Sequence, residues 1–306
     1  MMKTMLKTFF LFTLMFAPQE GFAEKMSVDQ LYKLTLKPAY DKIEILKHQA
    51  KKENRTYIVA GVLGFLIFLL LAYAFKLAGA LMALVIIIAG VVMFQSGVRS
   101  SSAYEREFQK DVLSPLVEYT SDFVHQKNLL TQEEVEQSGL FAPKIKVFHS
   151  SDVYASKEAT FAFVHIVFDT KANASVERFN QNVFDGLLIM IDKPETSKGV
   201  LISQSLKSEV ADGDMTMSSF FAQGSLREKR GAFDVYGDVA QEDLDKAAQL
   251  EDEKIAMAYH DNKIAVAVYE KQNPFGIDTF GVFDLKKAQS YAAALANVKK
   301  VIDTLK

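Results

Sequence analysis

The chain has 306 residues and no cysteine. That absence excludes disulfides, thiolate catalysis, iron–sulfur clusters and cysteine-type zinc sites. It leaves the compartment open, because a cysteine-free protein suits oxidising and reducing spaces alike. The recurrent catalytic signatures are missing as well. The sequence holds no G-x-S-x-G, Walker loop, H-E-x-x-H or G-x-G-x-x-G. Internal repeats and low-complexity tracts are also absent. Basic charge is short where nucleic-acid binding would need it. Residues 99–306 carry 24 Lys+Arg against 32 Asp+Glu, a net −8, which repels phosphate backbones. Residues 24–55 are the opposite, with 8 basic and 5 acidic residues, a net +3.

The most conspicuous shortage is of charge between Tyr57 and Phe94, where Lys76 stands alone in an apolar tract. One membrane-spanning helix needs about 20 apolar residues. The tract therefore predicts two spans, 57–75 and 77–94, with Lys76 at the turn reaching for headgroups. Gly61, Gly64, Gly79 and Ala83 would let the two helices pack closely. Both ends of such a hairpin lie on one side. Lys47, Lys51, Lys52 and Arg55 precede it, and Arg99 and Arg106 follow. Basic flanks favour the cytoplasm. Met1–Ala23 has the opposite implication. Lys3 and Lys7, an apolar core at Thr8–Ala17 and the Gly21-Phe22-Ala23 end have the layout of a signal peptide, which would place the following domain in the periplasm. A start at Met26 would remove that conflict. The lipid bilayer is thus one expected partner, at the bacterial inner membrane.

Amphipathic helices are expected on both sides of the tract. Tyr40, Ile43, Leu46 and Ala50 recur at helical spacing after Pro38. Tyr104, Phe108 and Val112 do so afterwards. Ser114-Pro115 reads as a cap and first-turn proline restarting a helix with Leu116, Tyr119 and Phe123 on one face. Thr131-Gln132-Glu133-Glu134 is a capping box, and its acidic run, with Glu136, is a solvated helix start.

From Lys144 the period changes. Strands are expected at 144–149, 160–169, 182–192, 199–204 and 232–236, with 199–204 paired to 182–192. The 160–169 strand is apolar on both faces, which marks a central strand. Residues 207–230 read as a long loop. A short helix spans 241–250 with Asp238 as a candidate cap. Asp261-Asn262 turns a hairpin between 255–259 and 264–269. A final helix, 285–305, carries Ala288, Tyr291, Leu295, Val298, Ile302 and Leu305 as one stripe. That stripe docks on the sheet or forms a coiled-coil seam for self-association.

The sum is an α+β chain: a two-helix transmembrane hairpin followed by an antiparallel or mixed-sheet domain with a C-terminal helix. Roughly seven strands and one helix also suit a pleckstrin-homology-like barrel. The segments are a signal-like 1–23, an amphipathic leader 24–56, the hairpin 57–94, juxtamembrane helices 95–142 and the α+β domain 143–306.

No residue set earns a catalytic, cofactor or metal role. His48, His125, His149, His165 and His260 are scattered, none with a second histidine three or four residues away. His165 alone lies on an apolar strand face. Asp212-Gly213-Asp214 lacks the third ligand and closing glutamate of a calcium loop. Asp234, Asp238, Glu242 and Asp243 cluster, and helix capping accounts for them.

The hairpin, Ser138-Gly139-Leu140-Phe141, Phe184-Asp185-Gly186-Leu187 and Phe233-Asp234-Val235-Tyr236-Gly237-Asp238 follow one another in an order that resembles a bacterial membrane-protein family catalogued as domain of unknown function 3137. The resemblance covers roughly 26–306. It implies a leader, a two-span hairpin and one α+β domain, and it brings no activity or catalytic residue. The first 23 residues depart from it. The expected function is a non-enzymatic binding, scaffold or sensing module at the membrane surface. The alternative is an unrecognised enzyme acting on a membrane-adjacent substrate.

Overall fold

A computed structural model describes residues 26–74, 103–126, 130–169, 183–194, 197–207, 217–221, 226–260, 262–270, 272–277 and 281–306. The signal-like segment, Lys76, the second expected span and Asp212-Gly213-Asp214 lie outside the described residues.

The first helix begins earlier than its apolar spacing suggests. Ser27 caps it, its hydroxyl accepting from the Gln30 amide while the Ser27 amide donates to the Gln30 side-chain oxygen. From there α1 is one helical run over 28–74: Val28–Leu31, a π-helical turn at Tyr32–Leu36, and Lys37–Ala74. Pro38 lies inside this run instead of before it. A proline ring clashes with the carbonyl four residues back and offers no amide hydrogen. The wider π turn just upstream, closed by the Lys37 amide on the Tyr32 carbonyl, makes room for it.

α2 (103–120) repeats the device. Its π turn, Gln109–Leu113, is closed by the Ser114 amide on the Gln109 carbonyl, and Pro115 follows. Ser114 is therefore not a helix cap. The chain stays helical through it, and Leu113, the residue before, makes no side-chain cap bond.

The expected transmembrane hairpin is corrected. Among the described residues, no helix is long and apolar enough to cross a membrane. Residues 57–74 are not a separate element but the end of α1, which starts in the charged leader. No proline lies between Ala39 and Ala74 to end the helix where its polarity changes, and Thr56 turns its hydroxyl back onto the Lys52 carbonyl instead of capping a new helix.

The nine strands are β1 (Val124–His125), β2 (Ile145–Ala155), β3 (Ala159–Phe168), β4 (Val183–Asp192), β5 (Lys198–Ser203), β6 (Leu226–Arg230), β7 (Phe233–Asp238), β8 (Ile255–His260) and β9 (Lys263–Tyr269). They form one sheet in the order β1-β2-β3-β4-β9-β8-β5-β7-β6, and every pairing is antiparallel. Among the described residues it is an open sheet edged by β1 and β6, not a barrel. The remaining helices are α3 (Gln132–Gln137), α4 (Gln204–Lys207), α5 (Gln241–Ala247) and α6 (Leu285–Leu305).

Two expectations about strands fail for related reasons. β5 does not pair with β4; it inserts between β8 and β7, while β4 takes β9. A one-sided hairpin reading cannot see that the β8–β9 hairpin supplies β4 with its neighbour. The long loop at 207–230 contains edge strand β6, whose side chains are all exposed. It joins β7 through its backbone and carries Arg227, Glu228, Lys229 and Arg230, so it has no apolar period to read, and its charge guards the edge.

Both sheet faces are covered. α1, α2 and α6 pack on one face around Phe161, Leu187, Ile189, Met257 and Val266. α3, α4 and the Phe220–Phe221 segment pack on the other around Val164, Phe184, Leu188 and Ala256. The doubly apolar β3 is accordingly central. The stripe of α6 is buried within the chain: Ala288, Tyr291, Leu295, Val298, Ile302 and Leu305, joined by Val301.

Candidate functional site

The four carboxylates clustered between 234 and 243 do not converge on one point. α5 is entered through Ala240 with no side-chain cap bond, so capping does not explain them either. Each takes its own cation instead. Asp234 pairs with Lys207, Asp238 with Arg227, Glu242 with Lys246 and Asp243 with Lys193. The Lys246 ammonium holds Glu242 below the usual carboxylate range, and Asp234 raises Lys207.

Asp238, Glu242 and Asp243 do line an open cleft of about 740 Å³ together with Lys193, Ser197 and Lys198. Its floor is Asp243, whose side chain is 7% exposed against 15% for Lys193. Lys193 Nζ donates to Asp243 Oδ1 at 2.6 Å and to the Leu305 carbonyl at 3.2 Å. Ser197 Oγ donates to Asp243 Oδ2 at 2.7 Å and accepts from the Ala240 amide at 2.7 Å. The serine proton faces a carboxylate already neutralised by lysine. That arrangement ties the β4–β5 connection to α5 and to the end of α6. It leaves Ser197 without the adjacent base that an activated nucleophile needs.

His165 is the other residue singled out by the sequence. It shares the helix-covered side of β3 with Phe161 and Phe163, yet it lies where that cover thins. Its side chain is 43% exposed. Its Nδ1 lies 2.7 Å from Asp185 Oδ1, the carboxylate directly opposite on β4. On its other flank, β2 places His149 directly opposite His165. The two rings are within 22° of parallel, with centroids 6.4 Å apart. His149, His165 and Asp185 thus form a row across three adjacent strands. Sequence spacing could not show it, because the three residues are 16 and 20 positions apart. The only advance signal was the register implied by β2, β3 and β4 as successive antiparallel strands.

A third polar cluster sits where α2 crosses the β2 edge. Asp152 adopts a positive φ of 51° at a register shift in β2. Its carboxylate accepts from Asn273 Nδ2 at 2.7 Å, and burial pushes its pKa up. Nearby, Gln109 Nε2 reaches the Tyr154 hydroxyl at 2.6 Å, while Gln109 Oε1 is buried with no partner among the described residues. Burial also raises the Tyr154 phenol.

The remaining candidates have structural roles. Thr131 and Glu134 make the expected capping box, and the hydrogen bonds from Thr131 lower Glu134. Glu133 and Glu136 accept from Gln137 and Gln132 on the same helix. Lys47, counted as a basic flank of the apolar tract, is buried. It bonds to the Tyr40 hydroxyl at 3.1 Å and to the Gly281 carbonyl, pinning that loop to α1. Among the described residues, no group of three or more histidines or carboxylates is arranged to hold a metal ion. No family model, no curated protein and no solved structure matches this chain.

Proposed function

We propose that this protein is a non-enzymatic binding or scaffold module held against the bacterial inner membrane by the far end of α1. One observation carries the reading. The last buried side chain described on α1 is Lys47, and the helix then continues for 27 residues, about 40 Å, beyond it. On that projection Val59, Val62, Leu63, Leu66 and Ile67 are 51–57% exposed. A contiguous exposed apolar surface marks an interaction site. Lys51, Lys52 and Arg55, exposed one to three turns before it, suit anionic headgroups. Such a boundary between cations and apolar side chains fits a lipid surface better than a protein groove. The cytoplasmic leaflet, with its anionic lipids, is the proposed side.

The soluble sheet then stands at the membrane surface to recruit a partner protein or ligand. Supporting the non-enzymatic reading, the polar groups of the cleft are spent on one another. The motif order that resembles the family of unknown function is consistent with the same role, and membership is part of this proposal.

The test is co-sedimentation of the full chain with vesicles of phosphatidylcholine, with and without phosphatidylglycerol. Binding is expected to both, tighter to the anionic vesicles, and to fall at least ten-fold in L63E/L66E. Equal recovery of wild type and variant, or no sedimentation at all, overturns the lipid contact. A periplasm-active reporter enzyme fused at Lys306 reads the side. High activity would sink the cytoplasmic assignment and point to export by Met1–Ala23.

A further inference from the structure

We infer that His149 and His165 form a two-imidazole site for a divalent transition-metal ion, with Asp185 as the group that orients it. The sheet places the two imidazoles directly opposite each other on neighbouring strands. Directly opposed residues have Cβ atoms about 4.5–5.5 Å apart, so their side chains share one patch of surface. The rings already lie nearly parallel, with centroids 6.4 Å apart. A metal bound by two imidazoles lies about 2.1 Å from each ligating nitrogen. His149 is exposed, so its ring has room to turn about its side-chain bonds toward His165.

The second observation is the 2.7 Å contact of His165 Nδ1 with Asp185. A carboxylate there engages Nδ1 and leaves Nε2 as the nitrogen available to a metal. This carboxylate–histidine pairing is what metal-ligating histidines ordinarily have behind them. Nothing in the packing demands it. His165 and Asp185 are 43% and 35% exposed, and water could satisfy either group.

The donor set decides the class of ion. Neutral imidazole suits zinc, copper and nickel, and calcium and magnesium prefer oxygen. Only two protein nitrogens are supplied, so solvent completes the coordination. The site is therefore open to exchange, and affinity should rank copper above nickel and zinc. This inference is independent of the lipid contact, which lies on α1.

The test uses the untagged full chain, titrated with Zn²⁺ by calorimetry and with Cu²⁺ by electron paramagnetic resonance. One ion is expected per chain, with a hyperfine pattern from two imidazole nitrogens. H149A and H165A should each weaken binding at least ten-fold while leaving the circular dichroism spectrum unchanged. D185N should weaken it about ten-fold, the usual effect of losing such an outer carboxylate, with both nitrogens still seen. A site that survives H149A, a spectrum with one nitrogen, or no saturable binding overturns the proposal.

Discussion

Asn273 Nδ2 donates to Asp152 Oδ2 at 2.7 Å across 121 residues of sequence, joining the loop before α6 to a strained corner of β2. Asp152 there combines a left-handed backbone with a half-buried carboxyl whose pKa is raised by desolvation. A raised acid pKa means that ionisation opposes folding. Stability is full below the ordinary value of 3.8 and is lost as pH rises through the folded value. Asp152→Asn keeps an acceptor oxygen for Asn273, tolerates the positive φ and removes the charge. The variant should melt above wild type at neutral pH, and the two melting temperatures should converge below pH 3.8. A gap independent of pH would refute this account.

Gly186 and Gly61 make opposite predictions for the same substitution. A Cβ at Gly186 would sit 2.3 Å from the Val268 carbonyl oxygen and 2.7 Å from the Phe184 ring. Backbone on β9 cannot retreat without breaking the β4–β9 ladder. Gly186→Ala should cost about 3 kcal/mol or prevent folding, read as the midpoint of urea unfolding. At Gly61 a Cβ meets nothing within 4 Å. Gly61→Ala sits in an exposed helix and should be neutral or stabilising by up to about 1 kcal/mol.

The Tyr259 hydroxyl is buried without a partner among the described residues, and burial pushes its pKa up. An unsatisfied buried donor costs about 1–3 kcal/mol. Tyr259→Phe keeps the ring and removes the orphan, so the urea midpoint should rise, by about 1 kcal/mol of stability. A fall would show that the hydroxyl is bonded in solution.

Asp243 is the hinge of the cleft's polar clamp. Asp243→Ala would strand Lys193 nearly buried and deprive Ser197 of its acceptor. Removing one partner of a buried pair costs about 3 kcal/mol. Lys193→Met with Asp243→Leu should recover most of that loss, since the pair need not be ionic to pack. If both variants are equally unstable, the ionic clamp itself is required.

Much of the fold was legible. The Thr131 capping box, the doubly apolar β3, the hairpin turn reaching left-handed Asn262 and the stripe of α6 all stand as their spacing suggested. These features are local, and neighbours within one or two turns determine them. Gly139 at φ 68° ends its helix, and Gly186 is where the Val268 backbone approaches. The errors have other origins. Pro38 and Ser114-Pro115 looked like helix starts because the rule for proline assumes an α turn upstream, and both times a π turn stands there instead. β6 was missed because an edge strand exposed on every side chain has no period. The candidate site was the least legible part. His165 was visible, but its neighbours His149 and Asp185 were not, since register alone brings them to it.

The sequence by itself determined that this is an α+β chain without cysteine chemistry, with an acidic C-terminal two thirds and one long apolar tract. Composition and local periodicity are properties of the chain and survive any arrangement of it. Only the tertiary structure decided that the first half of that tract continues a helix rooted in the domain, and that Lys47 is a buried pin. It also decided that four neighbouring carboxylates serve four different cations, and that two histidines 16 residues apart face each other. The facing histidines, the buried Lys47 and three of the four ion pairs depend on long-range pairing, which hydrogen-bond register and burial choose among alternatives that the local sequence leaves equal; the Glu242–Lys246 pair alone is local to its helix.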